Sequence, residues 1–385
     1  MRISIVYRIL RQTLLALGVA ALAGCSLFSS SDPRFDPAPL TQYPAGISIH
    51  KEWSTSIGSG SGVGFIPVVV GDSVYAATPG GSVSKIDLGS GHDQWQASAK
   101  MDLSAGVGSD GNITAVAAPD GTVIAFNDQG HEAWRAKATS EVNIPPTVGD
   151  GVVVVRSSDY RIQAFDEATG NPLWNVQRPG PALALKTNMQ MILIQGMVIS
   201  GLPNGKLIVI NAHTGNVQWE GSVSVSQGAT DLERISDVVG EPQIQGSVLC
   251  GVAYQGHVAC FDISQGGRPM WKKKFSSTTG MTTDANQVYV SDQHDVVHAF
   301  DLASGHEVWT QSALRNRRLS SPAVVRQGVA VGDLNGYVHF LSRTDGHLLG
   351  RIQLGSDPIL SPLVATSKGV LVQTGNGNLV LIGVN

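Results

Sequence analysis

The chain is poor in charge and in anything that reads as helix. Charged residues make up 15% of its 385 residues and the formal net charge is −4. That leaves no basic footprint for nucleic acid and no acidic tail that would stay unfolded. Past the first residues, no apolar stripe at helical spacing continues for about three turns. His-Glu-x-x-His, an EF-hand loop, Gly-x-Ser-x-Gly and a phosphate-cradling glycine loop followed by Lys are all missing. An enzyme would therefore have to assemble its site from scattered residues. Cysteine is scarce as well, with Cys25, Cys250 and Cys260 the three present.

Against this background one stretch repeats. Asp166 to Trp174 reads Asp-Glu-Ala-Thr-Gly-Asn-Pro-Leu-Trp, and varied copies run from Asp87 to Trp95, Asn211 to Trp219 and Asp301 to Trp309. Reduced to Gly-x-x-x-Trp, the core recurs six times, at Gly91, Gly130, Gly170, Gly215, Gly267 and Gly305. Of the seven tryptophans, Trp53, Trp95, Trp134, Trp174, Trp219, Trp271 and Trp309, only Trp53 lacks the glycine. The intervals between them are 42, 39, 40, 45, 52 and 38 residues, the length of a four-stranded propeller blade. A rare residue confined to one slot of a repeat implies the same packing task each time.

The first 24 residues are set apart from the fold. Arg2, Arg8 and Arg11 precede an apolar run from Thr13 to Ala23, the pattern of a secretory signal and too short for a comfortable membrane span. Leu22-Ala23-Gly24-Cys25 resembles the bacterial lipobox, which implies lipidation of Cys25 as the mature N-terminus. Ser26 at the next position implies sorting to the outer membrane, and the lipid would hold the chain at its periplasmic face. Residues 25–46 are rich in Ser and Pro and read as a tether.

From residue 47 to 385 the pattern predicts an all-β, eight-bladed propeller of four-stranded antiparallel blades. Seven units end near the tryptophans from Trp95 to Trp309 and at Gly350, where Gly346 is kept and the Trp is lost. Three further strands, Pro362 to Ala365, Val370 to Gln373 and Asn378 to Ile382, lack a fourth. The segment Ile47 to Ser54, with Trp53 in the expected slot, supplies it and removes the exposed edges. Hairpins at Pro79-Gly80-Gly81, Pro119-Asp120-Gly121 and Pro203-Asn204-Gly205 predict three-residue loops.

Two places exceed the repeat. Trp219 to Trp271 carries a surplus at Ser226 to Asp237, and a smaller expansion runs from Arg178 to Gln190, with Leu183, Leu185 and Lys186. Insertions in such arrays fall on one rim, often the binding one, although a tolerated surface insertion has the same length signature. In the fifth blade Cys250 and Cys260 face each other if the hairpin has three residues, which permits a cross-strand disulfide; two reduced core cysteines fit the same pattern. His92, His131, His306 and His347 follow turn glycines on different blades, too far apart to share a metal.

The tryptophan repeat resembles that of the quinoprotein dehydrogenases, which use pyrroloquinoline quinone. Their vicinal Cys-Cys pair and any Cys-x-x-Cys-His haem site are absent here, so no cofactor is implied; a dehydrogenase-like periplasmic enzyme is the alternative function. From lipobox to C-terminus the chain resembles the BamB family, the propeller lipoproteins of the outer-membrane β-barrel assembly machinery. The residues that carry this are Asp231-Leu-Glu-Arg-Ile-Ser-Asp-Val238, Ala253-Tyr-Gln-Gly256 and Val331-Gly-Asp-Leu-Asn-Gly-Tyr-Val-His339. The resemblance implies a non-enzymatic scaffold that binds the periplasmic POTRA domains of BamA, works with other Bam subunits, and assists insertion of nascent outer-membrane proteins. It also implies Leu183, Leu185, Lys186 and Asp237 as the partner contacts, with Lys186 where the family has Arg and Val239 where it can have a second acid.

Overall fold

The computed structural model describes residues 32–60 and 62–385. Cys25, Ser26 and the leader lie outside the described residues. The chain divides into a unit ending at Pro39, whose described part holds a 3-10 turn at Pro33–Phe35, and a second unit, Leu40–Asn385.

The second unit is built of eight antiparallel sheets of four strands each. Blade three is representative: Thr147–Gly149, Val152–Arg156, Arg161–Asp166 and Pro172–Gln177, from the inside outward. Its second strand, Val-Val-Val-Val-Arg, is buried throughout because a neighbouring blade covers each face. Val153 and Val155 pack with Ala115, Ala117 and Val123 of blade two. Val152 and Val154 turn the other way, onto Val198 and Ile208 of blade four. The two-residue period of a strand thus places alternate valines in different inter-blade cores, each contributing about 1.5–3 kcal/mol.

The ring closes as the sequence predicts. Ile49–Ser56 pairs antiparallel with Asn378–Val384, placing an N-terminal strand outside the last three. Ser48 and Asn385 exchange both backbone hydrogen bonds at the end of this seam, at 2.9 and 3.0 Å. Residues assigned to the tether also touch the propeller. Gly46 N–H donates to Leu349 O, Arg351 donates to Thr41 O, and Leu40 packs beside Val324 and Leu348 of blade seven.

Each tryptophan lies on the turn glycine of the next blade rather than its own. A Cβ on Gly170 would fall 2.6 Å from the Trp134 ring, and the same clash recurs for Gly91 with Trp53, Gly130 with Trp95, Gly215 with Trp174 and Gly305 with Trp271. These glycines also have positive φ, so they serve both the turn and the indole above it. Six indoles donate to a carbonyl in that neighbouring turn at 2.7–2.9 Å, namely to Leu88, Asp128, Glu167, Ala212, Leu302 and Arg343. Trp219 is the exception. The turn it faces, Asp262 to Gly267, is one residue longer and winds into a 3-10 turn at Ile263–Gln265.

The missing eighth tryptophan has the same logic. Gly350 occupies its slot, and a Cβ there would meet Ile49 of the closing strand and Ile47 just before it. Where a hairpin turn and its glycine should stand, the seam of the ring stands instead, so an indole has no seat.

Candidate functional site

In a blade whose four strands alternate in direction, the linker to the next blade and the hairpin between strands two and three emerge on one face. The inner hairpin and the Asp-to-Gly turn emerge on the other. Both expanded segments are linkers, so Arg178–Gln190 and Ser226–Asp237 share a face, while His92, His131, His306 and His347 stand exposed on the opposite one.

On the shared face the first linker is pinned at both ends. The Tyr160 hydroxyl donates to Pro181 O at 2.8 Å, and its ring packs where a Cβ on Gly180 would be. Leu185 N–H donates to Asp237 Oδ2 at 2.5 Å. Between these anchors Ala182, Leu183 and Ala184 are exposed, Leu183 to 44%. Leu185 is half-buried against the blade-five core that contains Val239, while Lys186 is exposed. Beyond it, Thr187 Oγ1 donates to Thr278 O, and Asn188 reaches across the ring to Gly64 N–H and Leu360 O, in the two linkers that flank the eighth blade. The segment therefore crosses the mouth of the central channel.

The four expected contact residues are brought together, but they differ in kind. Leu183 and Lys186 face solvent, whereas Asp237 is fully buried and its carboxylate holds the Leu185 backbone. Burial pushes the Asp237 carboxyl up to about 6, against the lowering effects of the Leu185 N–H and of Arg156. Val239 is buried in the core and offers nothing at the surface. The second linker is closed on itself: Glu233 Oε2 accepts from Ala229 and Thr230 N–H, and Ser226 and Ser236 hydroxyls meet at 2.7 Å. That closure leaves Leu232 67% exposed.

Tyr160 and Leu232 were not singled out from the sequence. A signal for Tyr160 existed: it fills, at φ 65°, a hairpin slot that other blades give to Gly81, Gly121, Gly205, Gly336 and Gly377. The other departure in a third hairpin slot, Asp295 at φ 63°, likewise binds its following linker, through Arg318 and Leu319 N–H. In both hairpins a bulky residue takes a conformation suited to glycine so that its side chain can reach the next connection.

Two further places bear on chemistry, the blade-five cysteines and the central channel. Cys250 and Cys260 are directly opposed in blade five, fully buried, with Cα atoms 4.1 Å apart and the sulfurs bonded. The central channel holds a cavity of ≈ 330 Å³ lined by inner-strand residues, among them Glu241, whose carboxyl burial pushes up to about 7.

A family model described as outer membrane protein assembly factor BamB matches residues 79–311. The chain is 59% identical over 375 residues, 97% of each protein, to the outer membrane protein assembly factor BamB of Bordetella pertussis (strain Tohama I). The fold is that of the crystal structure of BamB from Moraxella catarrhalis, with TM-score 0.80 at 24% identity over 87% of this chain and all of that one. It is also similar to the quinohemoprotein alcohol dehydrogenase of Comamonas testosteroni, with TM-score 0.68 at 14% identity over 87% of this chain and 76% of that one, a likeness of fold alone. By repeat, ring closure and near full-length similarity, the chain belongs to the BamB family of outer membrane protein assembly factors.

Proposed function

We propose that the protein is a non-enzymatic scaffold of the outer-membrane β-barrel assembly machinery, anchored through Cys25 at the periplasmic face and docked by its linker face to the POTRA domains of BamA. The observation that carries this is the pinned linker: Tyr160 and Asp237 hold a short arch that thrusts Leu183 into solvent beside Lys186. An exposed leucine on a fixed backbone loses little entropy on binding and suits an interface anchor. Leu232 is a second exposed leucine on the same face. Lys186 supplies charge at the rim, and Asp237 acts as a positioning residue behind it.

The test is the double variant Leu183→Ala with Leu185→Ala, titrated with the periplasmic region of BamA. Affinity should fall by roughly 30-fold or more, as for truncation of central anchors. The melting temperature should fall only modestly, because Leu183 is exposed and only the half-buried Leu185 gives up packing against the blade-five core. Undiminished binding would show that the docking surface lies elsewhere.

A further inference from the structure

Arg156 ends the second strand of blade three and is 7% exposed. Its Nη1 donates to Gly201 O and, at 3.3 Å, to Ser200 Oγ, and its Nη2 lies 3.0 Å from Met189 Sδ. None of these partners is charged. Among the described residues no carboxylate lies within ion-pair reach of it; Asp237 acts on it through its field alone, with Oδ2 engaged by Leu185 N–H and Oδ1 hydrogen-bonded to nothing. Burial pushes the guanidinium down to about 10. A buried cation with neutral partners alone is costly, and the usual remedy is an anion.

The fold does not require the charge. In the same strand-end slot the other blades have Ala77, Ala117, Gly201, Ala253, Ser291, Gly332 and Gln373. Gln373 is instructive, because its amide donates to Ala77 O, the backbone of the corresponding position in the next blade, as Arg156 does to Gly201 O. A neutral side chain makes the inter-blade bond, so the guanidinium is surplus to packing.

Arg156 borders a cavity of ≈ 230 Å³ that Asn143, Ser158, Tyr160 and Lys186 also line. The wall carries two cations and no carboxylate. The nearby Asp159 is paired with Arg161 at 3.2 Å and accepts from Ser157 Oγ. We infer that this cavity is an anion-binding site that receives a carboxylate side chain of the docked partner, seated between Arg156 and Lys186. The planar guanidinium matches a carboxylate in a two-pronged arrangement, and Lys186, at the end of the Leu183 arch, makes the cavity continuous with the proposed docking face. This rests on the docking proposal above and adds the chemistry of what is docked.

Acetate serves as the free-carboxylate probe. At constant ionic strength, millimolar acetate should shift the backbone amide resonances of Ser157, Ser158 and Tyr160 in the wild-type protein and in the Leu183→Ala, Leu185→Ala variant. It should leave Arg156→Gln unmoved. Arg156→Gln, which keeps a donor for Gly201 O, should bind the periplasmic region of BamA roughly 30-fold more weakly or worse, and acetate should compete with that region for the wild-type protein. Arg156→Lys keeps the charge and should bind between the two. Acetate shifts without competition, together with normal partner binding by Arg156→Gln, would mean a free anion only and overturn the partner-borne carboxylate. Absence of acetate shifts in the wild-type protein would overturn the anion site, whatever the variants do. Normal partner binding by the double leucine variant would instead remove the docking proposal, a result that the acetate shifts on their own do not depend on.

Discussion

Asp237 separates what a residue type suggests from what its surroundings make of it. In a long surface insertion an aspartate reads as a solvent-facing contact, yet here it is buried and bonded to the Leu185 backbone. Its carboxyl titrates at about 6 in the folded chain, above its ordinary 3.8. Such a group contributes stability that is present below the lower value and lost as pH rises through the upper one. Asp237→Asn keeps an acceptor without the buried charge. The variant should therefore gain stability relative to wild type between pH 4.5 and 7.5, as read by urea melts; an unchanged difference would mean that Asp237 is not ionised at a cost. The motif Val331 to His339 also proves to be interior at Asp333 and His339, while its Asn335 is exposed. Asp333 Oδ2 lies 2.8 Å from both Arg317 Nε and His339 Nε2, and Asp333 Oδ1 accepts from Asn335 and Tyr337 N–H. Asp333→Asn should cost about 3 kcal/mol or more in chemical denaturation, because it removes the anion between Arg317 and the buried imidazole. The sequence could name these residues but not their exposure, since burial of a polar side chain is decided by which linkers cross above it.

At the scale of the element, much was legible. The Gly-x-x-x-Trp spacing, the three-residue hairpins and the surplus linkers all follow from repeat length and turn chemistry, and each appears where the spacing puts it. The spacing could not reveal that an indole seats on the following blade's glycine, because the two residues of one copy are neighbours in sequence and not partners in space. The pairing makes a sharp prediction. Trp134→Ala should cost roughly 3–5 kcal/mol, and Gly170→Val, which intrudes on the same ring from the next blade, should be severely destabilising as well. Combining the two should lose less than the sum of the separate effects in a double-mutant cycle, since they injure one junction. Strict additivity would contradict the cross-blade seat.

For the whole molecule, the decisive element is the closing strand, found in the sequence by counting strands and noticing one too few at the end. Removing everything before Ile57 would take away the Ile49–Ser56 pairing, the Trp53 junction with Gly91 and the seat of Ile49 over Gly350. The edge of Asn378–Val384 would then be open to other chains. Such a truncation should melt at lower temperature in a less cooperative transition and self-associate in sedimentation. A monomer with an unaltered melt would show that the ring does not depend on its seam.

That seam also dictates an order of events during synthesis. The strand Ile49–Ser56 leaves the ribosome before any other strand described here, yet its only ladder partner, Asn378–Val384, leaves last. Blades one to seven can each assemble from contiguous stretches as they emerge, while the earliest strand must wait, unpaired, for more than three hundred residues to follow it. A chain of this protein that emerges N-terminus first, from the ribosome or from a secretion channel, accordingly carries one adhesive strand unpaired until Asn378–Val384 has followed.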